Sequence, residues 1–85
     1  MEEKEIGKIL HFFGKISVAA LKITVDELKV GDTIHIKGHT SDFNQVIDSM
    51  QKDNAEIPVA KPGDDIGIKA KEHAREGDIV YKVLQ

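Results

Sequence analysis

One turn occurs three times in this 85-residue chain, each time between a basic residue and an alternating segment. The three copies are Val30-Gly31-Asp32, Pro62-Gly63-Asp64 and Glu76-Gly77-Asp78. Glycine adopts a positive φ without a Cβ clash, and aspartate can hydrogen-bond to the backbone of its own turn. In the second copy, proline presets φ at the second turn position and glycine suits the third, as in a type II turn. Three such turns leading into half-buried strands predict a small β structure.

Size, charge and cysteine content narrow the class of protein. A chain of this length forms one domain that buries something over ~60% of its unfolded surface. Its 12 basic and 15 acidic side chains leave a net charge of −3, which argues against binding nucleic acid mainly through phosphates. The absence of cysteine excludes disulfides, thiolate metal sites and cysteine nucleophiles. Because no apolar run has membrane-spanning length and the start is highly charged, we expect a cytoplasmic protein.

Alternating and β-branched segments predict six to seven strands after a disordered charged tail over residues 1–5. The strands are expected at 6–13, 16–25, 33–37, 43–52, 56–60, 65–70 and 79–84. In the third of them, Ile34 and Ile36 are expected to point inward. Pro58 cannot donate to a ladder and belongs at an edge or a bulge. Many short strands separated by turns indicate a single barrel or sandwich domain over 6–85.

The stretch 43–52 allows two interpretations. Phe43, Val46, Ile47 and Met50 lie at helical spacing, and a polar pair before them offers a candidate N-cap. If the stretch is a strand, Phe43, Gln45 and Ile47 share one face instead. The local pattern alone favours a helix, whereas every neighbouring segment is a predicted strand.

Four histidines are the obvious metal-ligand candidates. His35 points outward from a strand and His39 lies in the following loop near Asp42, so they do not form the one-faced helical pair of a zinc hydrolase. His11 lies beside two phenylalanines and His73 lies in a charged loop. We expect surface histidines here, with His11 packed against aromatic rings.

The carboxylates and lysines give no catalytic constellation. Asp64 and Asp65 are adjacent, so on a strand they point to opposite faces and cannot act as an acid–base pair. Outward lysines on the strands predict a solvated exterior that discourages edge pairing. The alternative is a basic strip for RNA, but few aromatic residues accompany it. These lysines are Lys8, Lys22, Lys37, Lys69 and Lys82.

Four pieces of the chain together resemble the second domain of translational GTPases such as elongation factor Tu. They are residues 28–38, 46–50, 60–68 and 75–80, and the similarity runs over about 6–83. Within that family the chain looks most like small stand-alone proteins of this barrel type, through residues 38–43 and 49–51. The resemblance implies a small closed Greek-key β-barrel, in which the segment 43–52 is a strand.

The resemblance implies a non-catalytic translation-factor-like module that binds RNA or a translation-associated protein, since the chain lacks a phosphate-binding loop. A similar barrel also occurs as a C-terminal appendage in collagenase-like peptidases and RNA-hydroxylation proteins. The alternative is therefore an accessory barrel subunit for a separately encoded peptidase-like or RNA-modifying enzyme. We expect no catalytic, cofactor-binding or metal-binding residue, and neither DNA, a membrane nor a nucleotide as partner. Binding residues stay unassigned, and Asp32, Asp64 and Asp78 are expected to be turn residues.

Overall fold

The computed structural model describes residues 2–84, and every regular element within them is a strand, which confirms the all-β prediction. This part of the chain has ten strands instead of six to seven. The stretches 43–52 and 56–60 each divide in two, and a further short strand precedes the first Gly-Asp turn. The strands are β1 Glu3–Phe13, β2 Val18–Ile23, β3 Leu28–Lys29, β4 Thr33–Lys37, β5 Asp42–Val46, β6 Met50–Lys52, β7 Ala55–Ile57, β8 Val59–Ala60, β9 Asp65–Lys69 and β10 Ile79–Val83.

Two sheets organise these strands. Eight strands form one sheet in the order β5-β4-β10-β1-β2-β9-β6-β7, and β3 pairs with β8 in a second. All the pairings are antiparallel. The expectation of a closed barrel is wrong, because β5 and β7 are the two ends of the large sheet and do not pair with each other.

The segment 43–52 is extended and not helical, as the strand interpretation predicts. It is interrupted after Val46, where Ile47 leaves the line of β5 and bonds to the first Gly-Asp turn. The chain rejoins the sheet at Met50, which pairs with Ile57 and Ile68. The helical spacing of the apolar residues therefore reflects a break between two short strands.

The N-terminal residues extend the first strand. Glu3, Lys4 and Glu5, which the sequence places in a charged tail, are the first residues of β1 and pair with β10. Met1 of that tail lies outside the described residues. The main chain therefore enters the sheet three residues earlier than the hydrophobic pattern indicates.

The core lies on the inner face of the large sheet. In β4, Ile34 and Ile36 are fully buried and Thr33, His35 and Lys37 are not, as the period of two predicts. The same alternation holds along β2. The largest fully buried side chains are Ile6, Ile9, Leu21, Ile23, Leu28, Ile34, Ile36, Ile47, Met50, Ile68 and Val80.

The three Gly-Asp turns share one geometry. Their glycines have φ values of +99°, +94° and +93°, in the region where a Cβ is disfavoured. In each turn the aspartate Oδ2 accepts a hydrogen bond of 2.9 Å from the backbone N–H three residues earlier. The aspartate N–H donates back to the carbonyl of that same residue at 3.0 Å. Asp32, Asp64 and Asp78 are therefore turn residues, as expected.

Each turn is also tied to a buried isoleucine elsewhere in the chain. The glycine N–H donates to the isoleucine carbonyl at 2.6–2.9 Å, and the isoleucine N–H donates to the aspartate carbonyl at 2.8–2.9 Å. The partners of the first, second and third turn are Ile47, Ile23 and Ile9, all at most 1% exposed. Each strand entry is thus joined to a distant segment through two backbone bonds.

Between residues 2 and 84 we find no helix with the length and apolar character needed to cross a membrane.

Strand glycines provide a test of the packing between β1 and β2. A Cβ on Gly7 would lie 2.1 Å from the carbonyl oxygen of Lys22, a backbone atom that cannot move without distorting the ladder. A Cβ on Gly67 would meet Val18 Cγ1 at an ordinary 3.5 Å. We expect Gly7→Ala to lower the free energy of unfolding by more than about 2 kcal/mol and Gly67→Ala to change it by less than about 1 kcal/mol. Urea denaturation of both variants measures this, and equal losses would contradict the assigned packing.

Candidate functional site

A groove marks the place where the large sheet stays open. It has a volume of about 520 Å³ and lies between β5 and the end of β9. One wall is formed by residues 44–49 with Thr33, and the other by residues 69–71. Within residues 2–84 the two walls do not pair directly, because β5 pairs with β4 alone and β9 pairs with β2 and β6.

One side chain bridges the groove. The Gln45 Nε2 donates to the carbonyl oxygen of Lys69 at 2.9 Å, and its Oε1 accepts from the N–H of Lys71 at 2.7 Å. The carboxamide therefore satisfies two main-chain groups that a neighbouring strand would otherwise bind. The sequence analysis does not predict this role. A polar residue between Phe43 and Ile47, which are both buried on the same strand face, could have indicated a side chain that bonds to the main chain.

His35 forms the centre of a small polar cluster next to β5. Its Nδ1 lies 2.8 Å from a Glu3 carboxylate oxygen and its Nε2 lies 2.5 Å from Asp42 Oδ1. The side chain is 15% exposed, so it is not the solvated surface residue that we expected. The carboxylate of Glu3, followed by that of Asp42, raises the pKa of His35. The hydrogen bond with His35 in turn lowers the pKa of Asp42.

The cluster joins three strands. Glu3 begins β1, His35 lies in β4 and Asp42 begins β5, while Tyr81 of β10 lies beside the imidazole with ring centroids 6.0 Å apart. A charged imidazole can donate one hydrogen bond to each carboxylate. Because both nitrogens face carboxylates, the arrangement favours an ion-pair network over a metal ligand. Glu3 carried no signal in the sequence, since it falls in the predicted tail.

The other histidines lie apart from this cluster. His39 is exposed in the loop after β4. His11 contacts Phe13 edge-on at a centroid distance of 4.5 Å, as predicted, and His73 packs against Phe12 at 4.6 Å. The four histidines therefore do not form one cluster, although His11 and His73 line the same surface depression. Across residues 2–84, no three His, Cys, Asp or Glu side chains are grouped in a way that could hold a metal ion.

The adjacent carboxylates bind different lysines. Asp64 lies 2.8 Å from Lys52 and Asp65 lies 3.5 Å from Lys22. The Lys52 ammonium and a backbone N–H hold the pKa of Asp64 below its usual value. Each carboxylate is therefore occupied by a cation, and the two do not form an acid–base pair.

Two of the five outward lysines are engaged by other residues of the chain. Lys22 pairs with Asp65, and Lys82 lies 3.5 Å from Asp32 and donates to the carbonyl of Glu27 at 3.1 Å. Lys82 is only 19% exposed, so it is held within the structure and does not project into solvent. Lys69 is instead part of the groove wall.

An apolar tip ends the β1–β2 hairpin. Phe13 is 47% exposed and Ile16 is 57% exposed on either side of Gly14 and Lys15. The two residues are joined by a hydrogen bond from the Ile16 N–H to the Phe13 carbonyl, which holds the tip in a tight turn. Large apolar side chains grouped on a surface are typical of protein contacts.

The His35 cluster predicts how stability depends on pH. His35 has a raised pKa, so its contribution is full below about pH 6.5 and is lost as the pH rises through the folded value. Asp42 has a lowered pKa, so its contribution is present above about pH 4 and is lost on acidification. We expect wild type to melt a few degrees above His35→Gln at pH 5, and the difference to shrink at pH 9.

Thermal melts of both proteins at matched ionic strength measure this difference. His39→Gln is the control, because that side chain lies exposed outside the cluster. A difference that does not change with pH, or one that His39→Gln reproduces, would contradict the assigned ion pairs.

Comparison with known proteins gives one consistent group of relatives. No family model matches the chain. It is 42% identical over 78 residues to a protein of Methanocaldococcus jannaschii named an uncharacterized protease, a match covering 91% of this chain and 19% of that protein. It is 31% identical over 78 residues to a collagenase of Porphyromonas gingivalis, a match that covers 91% of this chain and 22% of the collagenase. The chain thus spans about a fifth of the length of these curated relatives.

A solved structure shows the same fold. The crystal structure of the C-terminal domain of a Geobacillus thermoleovorans protein, described as a U32 peptidase, matches with a TM-score of 0.87. The match covers 94% of this chain and 92% of that domain at 19% identity. A selenomethionine variant of the same domain matches with a TM-score of 0.84.

These relatives correct the identification made from the sequence. The resemblance to a translation-factor domain is wrong as an assignment, because the similar proteins are named proteases and collagenases. The collagenase-like branch, considered above as the second candidate, is the one that the comparisons support. The chain therefore resembles one segment of peptidase-named proteins, and its fold is that of a U32 peptidase C-terminal domain.

Proposed function

We propose that this chain is a non-catalytic accessory β-domain that packs against the catalytic region of a peptidase-like protein. One observation carries the proposal: 91% of the chain matches a protease-named protein, but the match takes up only 19% of that protein. The remaining four-fifths of the relative is a region large enough to hold a separate active site. Support also comes from Asp32, Asp64 and Asp78, whose carboxylates are engaged in turns and, for Asp64, in an ion pair with Lys52.

The apolar hairpin tip is the surface that we assign to this contact. Phe13 and Ile16 together present two large side chains that are about half exposed, and burying them against a partner would remove apolar area from water. We assign the catalytic region of a peptidase-like protein as the partner, because about four-fifths of each protease- or collagenase-named relative lies outside the matched segment. The tip lies at the turn between β1 and β2, where the ladder ends at the Phe13–Val18 pair, so docking there does not require the strands to move.

Association can be tested with the Methanocaldococcus relative lacking its 78 matched residues. We expect this truncated protein and the present chain to form a one-to-one complex, measured by size-exclusion chromatography with light scattering. The full-length relative is the control, since its own segment should already fill the contact and prevent binding. Absence of a complex, or equal binding by the full-length protein, would contradict the proposal.

If the truncated relative does not fold, a graft provides the second measurement. The present chain replaces the matched segment, and the chimera should then melt in one transition close to that of the full-length relative. A chimera that melts in two independent transitions would contradict packing between the regions. The non-catalytic part is checked separately: the purified chain alone should not cleave fluorescent casein or gelatin, and cleavage that co-purifies with the chain would contradict it.

Substitutions at the hairpin tip test the assigned surface. We expect Phe13→Ser combined with Ile16→Ser to weaken the complex at least about tenfold, because the contact loses its apolar anchors. The chain itself should still fold, since both side chains are about half exposed. Val25→Ser combined with Val30→Ser is the matched control, because these residues are 45% and 44% exposed outside the tip. Equal weakening by both pairs would argue against the tip as the contact.

A further inference from the structure

We infer that the groove between β5 and residues 69–71 binds an extended polypeptide segment that carries acidic side chains. This inference goes beyond the proposed function and does not depend on it, because the whole groove is formed by this chain. The segment would lie between the two walls as an additional strand, with main-chain hydrogen bonds providing the common recognition element.

An open edge of the sheet borders the groove. β5 has a strand on one side only, and residues 44–46 form the groove wall on the other side. Ile47 N–H and C=O bond to the first Gly-Asp turn, on the β4 side of the chain. Because successive backbone groups of a strand alternate in direction, those of Val46 and Asn44 face the groove. An exposed edge of this kind is a template for pairing with another chain.

The Gln45 side chain already acts as a ligand of the wall at 69–71. Its carboxamide already occupies the Lys69 carbonyl and the Lys71 N–H, at 2.9 Å and 2.7 Å. An amide donor and an amide acceptor are the groups that a polypeptide backbone offers. The wall at 69–71 is therefore built to bind an amide, and an incoming segment could replace the Gln45 side chain without leaving these groups unpaired.

The charge and the size of the groove match an acidic extended segment. Lys69 and Lys71 both line the groove, and neither belongs to an ion pair within residues 2–84. Asp48 lies on the opposite wall, so the groove carries two cations against one carboxylate. Acidic side chains on the bound segment would complement the lysine wall. A volume of about 520 Å³ lies within the range of known binding sites and admits a few residues of an extended chain.

Binding can be measured by NMR titration of the full chain with a blocked seven-residue peptide that alternates valine and glutamate. We expect saturable shifts of the backbone amides at residues 44–46 and 69–71. Two control peptides separate the contributions: one carries lysine in place of glutamate, and the other is N-methylated at alternate residues. Each should bind at least about tenfold more weakly, the first through charge and the second through the lost main-chain donors.

Two sets of variants test the residues themselves. Lys69→Gln with Lys71→Gln should weaken binding of the glutamate peptide at least about tenfold. Lys8→Gln with Lys37→Gln, which removes the same two positive charges from outside the groove, should not. Gln45→Ala should bind the peptide at least as tightly as wild type, because the competing carboxamide is gone. Both exposed lysine pairs should leave the melting temperature within a few degrees of wild type.

Several results would overturn the inference. These are the absence of shifts at about 1 mM peptide, shifts confined to the hairpin tip, and equal binding of the N-methylated peptide. Equal competition by a polyuridine oligonucleotide would show a general anion site. A concentration-dependent dimer whose interface maps to residues 44–46 would show that a second copy occupies the edge. Because the titration uses this chain alone, its failure would leave the association with a peptidase-like region standing.

Discussion

The exchange of backbone hydrogen bonds between the Gly-Asp turns and three buried isoleucines holds this fold together. Each turn needs a glycine at positive φ, a conformation that costs other L-residues roughly 1–2 kcal/mol. The aspartate carboxylate accepts a hydrogen bond from the backbone N–H three residues earlier, and the backbone groups of the glycine and the aspartate bond to one isoleucine. The turns precede β4, β9 and β10, so they connect the start of these three strands to Ile47, Ile23 and Ile9.

The same interaction explains why the sheet stays open. Ile47 bonds to the first turn, so the chain leaves the line of β5 after Val46 and returns only at Met50. β5 therefore never reaches β9, and the Gln45 side chain spans the gap where a strand ladder would close a barrel. The groove is in this sense a consequence of the turn that stabilises β4. A site formed by backbone edges is well suited to bind another main chain.

The turns also explain the misidentified family. The pieces that resemble translation factors are largely turn residues and the alternating strands that follow them. Such residues are required by the backbone geometry of the fold, so they report the fold more than the function. The relatives that match over nearly the whole chain are instead named as proteases and collagenases. A resemblance that depends on turn chemistry therefore supported the all-β architecture and failed on the biological role.

The sequence by itself determined the features that depend on neighbouring residues. The three turns, the inward Ile34 and Ile36 and the all-β content follow from the φ of glycine and the two-residue period of a strand. Tertiary structure decided the rest. Gln45 reaches Lys71 across 26 residues and His35 reaches Glu3 across 32, contacts that no local pattern encodes. The open edge, the groove and the ion-pair cluster all arise from such pairings, because their geometry depends on how distant strands are brought together.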